Sequence, residues 1–293
     1  LAHYVAEAAA LAGRAATRAL RQAGVAPADI DQLVVVSCTG AASPGVDVAL
    51  IRALQLRPDV GRTVVGFMGC HGAVNGLRVA HALAAARPGA HVLMVAVELC
   101  SLHLSYGWDP QRIVANALFA DGAAAVVGRV DPAPTAPPPP ESTPAADADA
   151  PSPLHLLDTA SCLLPDSTEL MTWVIGDHGF EMTLSPRVPE VIAGHLRPWV
   201  DRWLGTHGLA VGDVGAWAIH PGGPRIVDAA LAALGLPADA AAASRAVLAG
   251  HGNMSSPTLL FIADALRRRR PAARPVVALG FGPGLMAEAA LWA

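Results

Sequence analysis

The chain has 293 residues, of which 53% are apolar and 15% charged, and its formal net charge is 20 − 24 = −4. Such a composition can bury a large core, which excludes a disordered or fibrous protein. All 20 positive charges are arginines, so a lysine Schiff base and a P-loop lysine are both excluded. The weak acidity gives no reason to expect a nucleic-acid partner, and no long apolar stretch free of charge and proline predicts a membrane span.

The four cysteines predict a reduced, cytoplasmic protein. Cys38, Cys70, Cys100 and Cys162 lie about 30 or more residues apart, and no C-x-x-C pair suggests a zinc or dithiol site. The sequence begins at Leu1 without the pattern of a signal peptide. We expect the N-terminal part of the protein to be incomplete in this sequence.

The first 130 residues predict alternating helices and buried strands. Apolar residues at helical spacing end at Gly24, and a β-branched run follows at 33–37. The alternation favours an α/β layer architecture with mainly parallel strands. The predicted elements are helices at 3–23, 47–56 and 72–86, and strands at 33–37, 63–67 and 91–97.

Residues 131–153 are almost entirely proline and small or polar residues, which predicts a disordered linker between two halves, 1–130 and 154–293. The second half repeats the alternation, so an internally duplicated α/β fold is expected. Its predicted strands are 154–161, 170–175, 179–185, 215–219, 275–281 and 285–292, and its predicted helices are 189–204, 223–234 and 255–268.

Cys70 is a candidate nucleophile. It directly follows a predicted strand and lies at the first turn of a small-residue helix, where unpaired backbone N–H groups and the helix dipole favour a thiolate. Gly69 and Gly72 bracket it and permit a sharp turn. By itself, Cys70 is better explained as a small buried residue that packs two layers.

His220 and Asn253 are candidate partners of this cysteine. His220 ends an apolar strand before a Pro-Gly-Gly turn, at the strand edge where α/β sites gather. Asn253 lies in the loop GHGNMSS, and it could also simply cap the next helix. Together the three residues supply a nucleophile, a cation and a second hydrogen-bond donor from three turns.

Six sequence motifs resemble the type III polyketide synthases, the chalcone and stilbene synthase family of thiolase-fold condensing enzymes. The stretches MTWVIGDHGFEMTLS and ELCSLHLS resemble the bacterial members of that family. The motifs occur in the family's order: GFMGCHGAVNGLR, ALFADGAAAVV, CLLPDS, IHPGGPRIVD, GNMSSPTLLF and GFGPGL. The resemblance implies a duplicated, thiolase-like fold with αβαβα layers. It also implies a homodimer whose substrates are acyl-CoA and malonyl-CoA, with no metal or redox cofactor.

The resemblance places the family's catalytic residues on Cys70, His220 and Asn253. Cys70 would take the acyl group, and His220 and Asn253 would stabilise the enolate formed when malonyl-CoA loses CO₂. The family's substrate-binding positions are expected at Met182, Trp173, Ser255, Phe281 and Gly282. Trp173 is alternatively a core aromatic residue.

Met182 stands where plant members have a gating phenylalanine, and the segment 101–112 contains no phenylalanine at all. With 4% aromatic residues overall, this predicts an aliphatic tunnel that favours a fatty acyl starter. Several of the bacterial members that the chain resembles use such starters, so the resemblance implies alkylpyrone or alkylresorcinol products. Two alternatives remain open. One is a ketoacyl-acyl-carrier-protein synthase III-like enzyme, although Pro-Gly-Gly after His220 and Met-Ser-Ser after Asn253 disfavour it. The other is an idle thiolase-fold partner subunit.

Overall fold

A computed structural model describes residues 3–104, 106–108, 110–131, 153–176, 179–269 and 275–293. Most of the predicted linker 131–153 lies outside the described residues. The helices are α1 (Tyr4–Ala23), α2 (Val46–Leu54), α3 (Gly72–Ala86), α4 (Pro110–Leu118), α5 (Val188–Gly205), α6 (Pro224–Leu234), α7 (Ala242–His251) and α8 (Pro257–Arg268). The strands are β1 (Ile30–Ser37), β2 (Gly61–Gly66), β3 (His91–Leu99), β4 (Asp121–Gly128), β5 (Leu156–Leu163), β6 (Met171–Gly176), β7 (Gly179–Leu184), β8 (Ala216–Ile219), β9 (Val276–Gly282) and β10 (Met286–Trp292).

The first half of the chain forms a four-stranded sheet of order β2-β1-β3-β4. β1 pairs in parallel with both β2 and β3, whereas β4 runs antiparallel to β3. The central strand β3 is buried on both faces, as its continuous apolar sequence requires. Parallel strands end at the same edge, so the chain segments that follow β1 and β3 lie side by side.

The second half forms a sheet of order β5-β10-β9-β8 and a separate β6-β7 hairpin. Only β8 and β9 are parallel, because β10 pairs antiparallel with β9 and with β5. The prediction of mainly parallel strands is therefore wrong for this half. β9 and β10 are joined by a short turn rather than by a crossover helix, which forces them to run antiparallel.

Four apolar cores separate five layers. α1 and α2 cover one face of the first sheet, and α3 covers its other face. α7 and α8 bury one face of the second sheet, together with Val74 and Leu77 of α3. α5 and α6 cover the outer face of the second sheet. The layers are thus helix, sheet, helix, sheet, helix, and the predicted αβαβα arrangement is confirmed.

The sequence reasoning missed three elements: α4, β4 and α7. β4 reads DGAAAVVG, and its alanines and glycines carry little of the β-branched signal by which strands are recognised. α7 is short and continues from a single 3-10 turn at Ala238–Ala241. Among the described residues, no helix is long and apolar enough to cross a membrane.

Candidate active site

Cys70 lies in a 3-10 turn, Gly69–His71, between β2 and α3. Gly69 has φ +73°, and a side chain there would lie 2.3 Å from Cδ of Pro283. Glycine is therefore required both by the backbone conformation and by the close approach of the β9-β10 turn. The sharp turn predicted at Gly69 is therefore present, and it places Cys70 next to the second half of the chain.

His220 directly follows β8 and is 1% exposed. Its backbone N–H donates to the carbonyl of Leu279 at 2.8 Å, which continues the parallel pairing of β8 with β9. The position at a strand's carboxyl end agrees with the sequence prediction. The ring is thereby anchored by the sheet rather than by a flexible loop.

Asn253 is fully buried and paired with the first half of the chain. Its N–H donates to the carbonyl of Leu118 and its carbonyl accepts from the N–H of Ala120, at 2.8 and 2.9 Å. Its Oδ1 accepts from the backbone N–H of Ser255 at 2.9 Å. Because Oδ1 is used inside the turn, Nδ2 must face outward. Asn253 is not the N-cap of α8, which is Ser256.

Unpaired polar atoms converge at this point. Both ring nitrogens of His220 and Nδ2 of Asn253 are buried and have no hydrogen-bond partner among the residues that the structure describes. An unpaired buried polar group costs about 1–3 kcal/mol, so such groups are uncommon in native proteins. Both residues line the same cavity as Cys70. The arrangement can donate hydrogen bonds to an oxygen atom of a bound molecule.

Burial controls the protonation of the two reactive side chains. Burial raises the pKa of Cys70 to about 11, and the nearby Glu98 also raises it, while Ser255 and Asn253 lower it. Burial, and to a smaller extent His71, lower the pKa of His220 to about 3, and the Asn253 side chain opposes the shift. At neutral pH Cys70 is therefore a neutral thiol and His220 a neutral imidazole, so the thiolate expected from the strand-to-helix turn is not the resting form of Cys70.

Glu98, at the end of β3, is a fully buried carboxyl group beneath the cavity. One of its oxygens accepts from the backbone N–H groups of Cys38 and Thr39, at 2.9 and 3.0 Å. The other accepts from the Ser256 hydroxyl at 2.6 Å. Burial raises the pKa of Glu98, although these hydrogen bonds oppose the shift. Glu98 thus ties the end of β1 to the turn that carries Asn253.

The cavity has a volume of about 740 Å³ and lies between the two halves and the β6-β7 hairpin. Of the predicted site residues, seven line it: Cys70, His220, Asn253, Met182, Trp173, Ser255 and Phe281. Gly282 is not among the lining residues. A side chain at Gly282 would lie 2.4 Å from Cδ2 of His71, so this glycine makes room for a histidine rather than for substrate.

An aromatic cluster forms one wall of the cavity. His103 stacks on Phe180 with ring centroids 5.1 Å apart, and Trp173 contacts both rings. Two hydrogen bonds fix the wall to the end of β1: His103 Nε2 donates to the Thr39 carbonyl at 2.6 Å, and Trp173 Nε1 donates to the Cys38 carbonyl at 2.8 Å. The lining is therefore mixed, because aromatic side chains stand beside the aliphatic ones that were expected. Low aromatic content overall does not prevent aromatic residues from gathering in one place.

Sequence reasoning missed several residues at this site: Cys38, Thr39, Glu98, Cys100, His103 and Phe180. Glu98 could have been found from the sequence, because it is the single acidic residue of the otherwise apolar strand HVLMVAVEL. Cys38 and Cys100 had a weaker signal, since both directly follow a buried strand. Phe180 had none, because its role depends on how the β6-β7 hairpin folds over the first half.

The comparisons with known proteins agree with this geometry. The model of the N-terminal domain of chalcone and stilbene synthases matches residues 2–132, and that of the C-terminal domain matches residues 155–292. A 1,3,6,8-tetrahydroxynaphthalene synthase of Streptomyces peucetius subsp. caesius is 38% identical over 95% of this chain and 71% of its own length. The alpha-pyrone synthesis polyketide synthase-like Pks18 of Mycobacterium tuberculosis is 34% identical over 94% of this chain and 68% of its own.

Solved structures give the same result. PKS-I from the brown alga Ectocarpus siliculosus superposes with a TM-score of 0.87 at 35% identity and covers 97% of this chain and 74% of that one. The 1,3,6,8-tetrahydroxynaphthalene synthase of Streptomyces coelicolor A3(2) superposes with a TM-score of 0.85 at 29% identity, covering 99% and 78%.

The five-layered fold is that of the thiolase-like condensing enzymes, which are acyltransferases. The chain belongs to the chalcone and stilbene synthase family, and it is a type III polyketide synthase. The ketoacyl-acyl-carrier-protein synthase III-like alternative is thereby set aside.

Proposed function

We propose that Cys70 carries the growing chain and that His220 and Asn253 bind the thioester oxygen of malonyl-CoA. The observation that carries this proposal is the set of unpaired, buried nitrogens on His220 and Asn253, which face the cavity lined by the Cys70 thiol. The oxygen of a thioester carbonyl, as it becomes an enolate, would accept hydrogen bonds from His220 and Asn253. Such donors, fixed in a dry site, stabilise a developing oxyanion strongly.

The reaction then proceeds in two parts. The Cys70 thiolate attacks the acyl-CoA carbonyl carbon, the C–S bond to CoA breaks, and CoA leaves as a thiol with the proton that Cys70 released. Malonyl-CoA next loses CO₂, and the electron pair of the broken C–C bond moves onto the thioester oxygen held by His220 and Asn253. The enolate carbon attacks the acyl group on Cys70, and the Cys70 sulfur leaves. Repetition requires only another acyl transfer to Cys70.

The starter is proposed to be a fatty acyl-CoA, and the products alkylpyrones or alkylresorcinols. Flexible apolar side chains line the cavity at Leu102, Met171, Met182, Leu184 and Ile226. Each CH₂ group removed from water contributes about 0.8 kcal/mol, so a cavity that accepts the tail favours longer chains. The relative from Mycobacterium tuberculosis is named for alpha-pyrone synthesis.

The test combines intact-protein mass and product analysis. Incubation with acyl-CoA should add one acyl group to the wild type and none to Cys70→Ala. The matched controls are Cys38→Ala and Cys100→Ala, because both thiols line the same cavity and both variants should still be acylated. Acylation that persists in Cys70→Ala contradicts the assignment, and a wild-type protein that is never acylated supports an idle subunit.

The starter is tested by measuring kcat/KM for C2 to C16 acyl-CoA and for a phenylpropanoid-CoA, with labelled malonyl-CoA and identification of products by mass. Efficiency should rise with chain length to a maximum. A clear preference for acetyl-CoA or for the aromatic starter contradicts the fatty acyl proposal.

Three further sequence-based expectations remain proposals: a homodimer, a cytoplasmic location and turnover without a metal or other cofactor. The first is checked by light scattering of the purified protein. The last is checked by dialysis against a chelator, after which activity should be unchanged. Restoration of lost activity by zinc or magnesium would contradict it.

A further inference from the structure

His103 lies in the wall of the cavity, and one of its ring nitrogens is fixed as a hydrogen-bond donor. Nε2 lies 2.6 Å from the backbone carbonyl oxygen of Thr39. A carbonyl oxygen only accepts hydrogen bonds, so Nε2 must carry a proton. Because a neutral imidazole has one protonated nitrogen, Nδ1 of His103 is a base with a free lone pair.

The contacts of the ring hold its two nitrogens in these roles. The imidazole stacks on Phe180 with the ring planes 26° apart, and it meets the indole of Trp173 edge to face at 5.1 Å. Thr39 is itself held, because its N–H and its hydroxyl both donate to one oxygen of Glu98. The carbonyl that orients His103 therefore belongs to a segment that is fixed at the end of β1, and Nδ1 keeps one direction.

Nδ1 of His103 is open to the cavity. It has no hydrogen-bond partner among the residues that the structure describes, and unlike the ring nitrogens of His220 it keeps accessible surface. His103 lines the same cavity as Cys70. Burial lowers the pKa of His103, while the bond to Thr39 and the charge of Asp121 raise it. The ring is therefore neutral at pH 7 and can accept a proton.

Release of the chain from Cys70 is a step in which such a base is useful. A starter that has been extended twice carries two keto groups beyond its thioester. The enol form of the far keto group can reach the thioester carbonyl carbon through a six-membered ring, and its O–H must lose a proton for the ring to close. His220 and Asn253 are the proposed donors to the thioester oxygen, so a base on the opposite wall takes this proton without disturbing them.

We propose that His103 is the general base that closes the polyketide chain to a lactone and so releases it from Cys70. The inference rests on the proposed role of Cys70 as the carrier of the chain. Nδ1 of His103 takes the enol proton, the enol oxygen attacks the thioester carbonyl carbon, and the C–S bond breaks with its electron pair on the Cys70 sulfur. The imidazolium then gives its proton to solvent and the thiolate takes one from solvent. The product is a six-membered lactone, the ring of an alkylpyrone.

The test follows the chain on Cys70 by intact-protein mass in a single turnover, in which protein acylated with a C10 acyl-CoA is mixed with malonyl-CoA and quenched over time. The amide of His103→Gln can still donate to the Thr39 carbonyl, but it has no basic nitrogen. In this variant the twice-extended chain should persist on Cys70, and release of lactone should slow at least about tenfold. His103→Phe keeps the stacking on Phe180 and should behave in the same way. His81→Gln, at an exposed site on α3, is the control and should match the wild type.

Release of labelled CO₂ from malonyl-CoA in the same reaction separates catalysis of ring closure from mere shaping of the cavity. If His103 acts as the base, CO₂ release over the two extensions should be unchanged in His103→Gln while lactone release slows. Lactone release at the wild-type rate, or equal slowing of both steps, overturns the inference, and either variant decides if the other does not fold. If wild-type Cys70 never carries an extended chain, the proposed function fails as well. A chain that forms and leaves equally fast in wild type and variant removes only the role of His103.

Discussion

The indole Nε1–H of Trp173 donates to the backbone carbonyl of Cys38 at 2.8 Å, across the boundary between the two halves of the chain. Trp173 belongs to the β6-β7 hairpin, and Cys38 directly follows β1. The same ring contacts His103 and Phe180. The bond therefore fixes how far the hairpin stands from the first half, and with it the width of the cavity.

Shortening Trp173 should lengthen the acyl chain that the enzyme prefers. Trp173→Ala removes one wall of the cavity, whereas Trp173→Phe keeps most of the ring and loses only the hydrogen bond to Cys38. We expect the kcat/KM maximum over C6 to C16 acyl-CoA to move to longer chains in Trp173→Ala and to stay near the wild-type length in Trp173→Phe. An unchanged preference in Trp173→Ala would show that other residues limit the chain.

Loss of either oxyanion donor should impair decarboxylation of malonyl-CoA. His220→Gln and Asn253→Asp each replace a donor by a poorer or a repelling group, and removal of one such donor commonly lowers kcat by about 10²–10³-fold. Asn253→Asp should still allow acylation of Cys70 by acyl-CoA. Release of labelled CO₂ is the measurement, with His195→Gln as the control, an exposed residue on α5. Decarboxylation at the wild-type rate in Asn253→Asp would leave Asn253 as a turn residue only.

Removal of the buried charge at Glu98 should make Cys70 more acidic. The Glu98 carboxylate raises the pKa of Cys70 above the value that burial alone sets. Glu98→Gln keeps an oxygen for the N–H groups of Cys38 and Thr39 but removes the charge. The pH midpoint of Cys70 alkylation should then move to lower pH. Glu190→Gln, exposed on α5, should have no effect, and a shift of Glu98→Gln to higher pH would contradict this electrostatic account.

A methyl group at Gly282 should destabilise the protein. It would lie 2.4 Å from Cδ2 of His71, in a region that cannot expand because the ring is bonded to Asn75. Overpacking of this kind typically costs about 1–3 kcal/mol. Gly194→Ala is the matched control, since no atom of the described residues outside the helix backbone lies within 4 Å of an added Cβ. Alanine there should stabilise the protein by about 0.5–1 kcal/mol. Urea denaturation of both variants gives the comparison, and equal stability of Gly282→Ala and wild type would show that His71 can move.

The sequence by itself determined the layered α/β class, most helices and strands, and the turns that carry Cys70, His220 and Asn253. These follow from local causes: apolar periodicity, a strand end beside a helix start, and glycine where the backbone turns sharply. The sequence did not determine the strand directions in the second sheet, because direction depends on whether a connection is a short turn or a crossover helix.

Only the tertiary structure decided what surrounds the three residues. Glu98, Cys38 and Thr39 reach the site because parallel β1 and β3 end at the same edge, and the β6-β7 hairpin brings Phe180 to His103 from 77 residues away along the chain. Gly282 shows the limit most clearly. Its motif predicted contact with substrate, yet its α-carbon faces the ring of His71. Which side chain fills the space above a glycine depends on how the two halves pack, and this packing cannot be predicted from the local sequence.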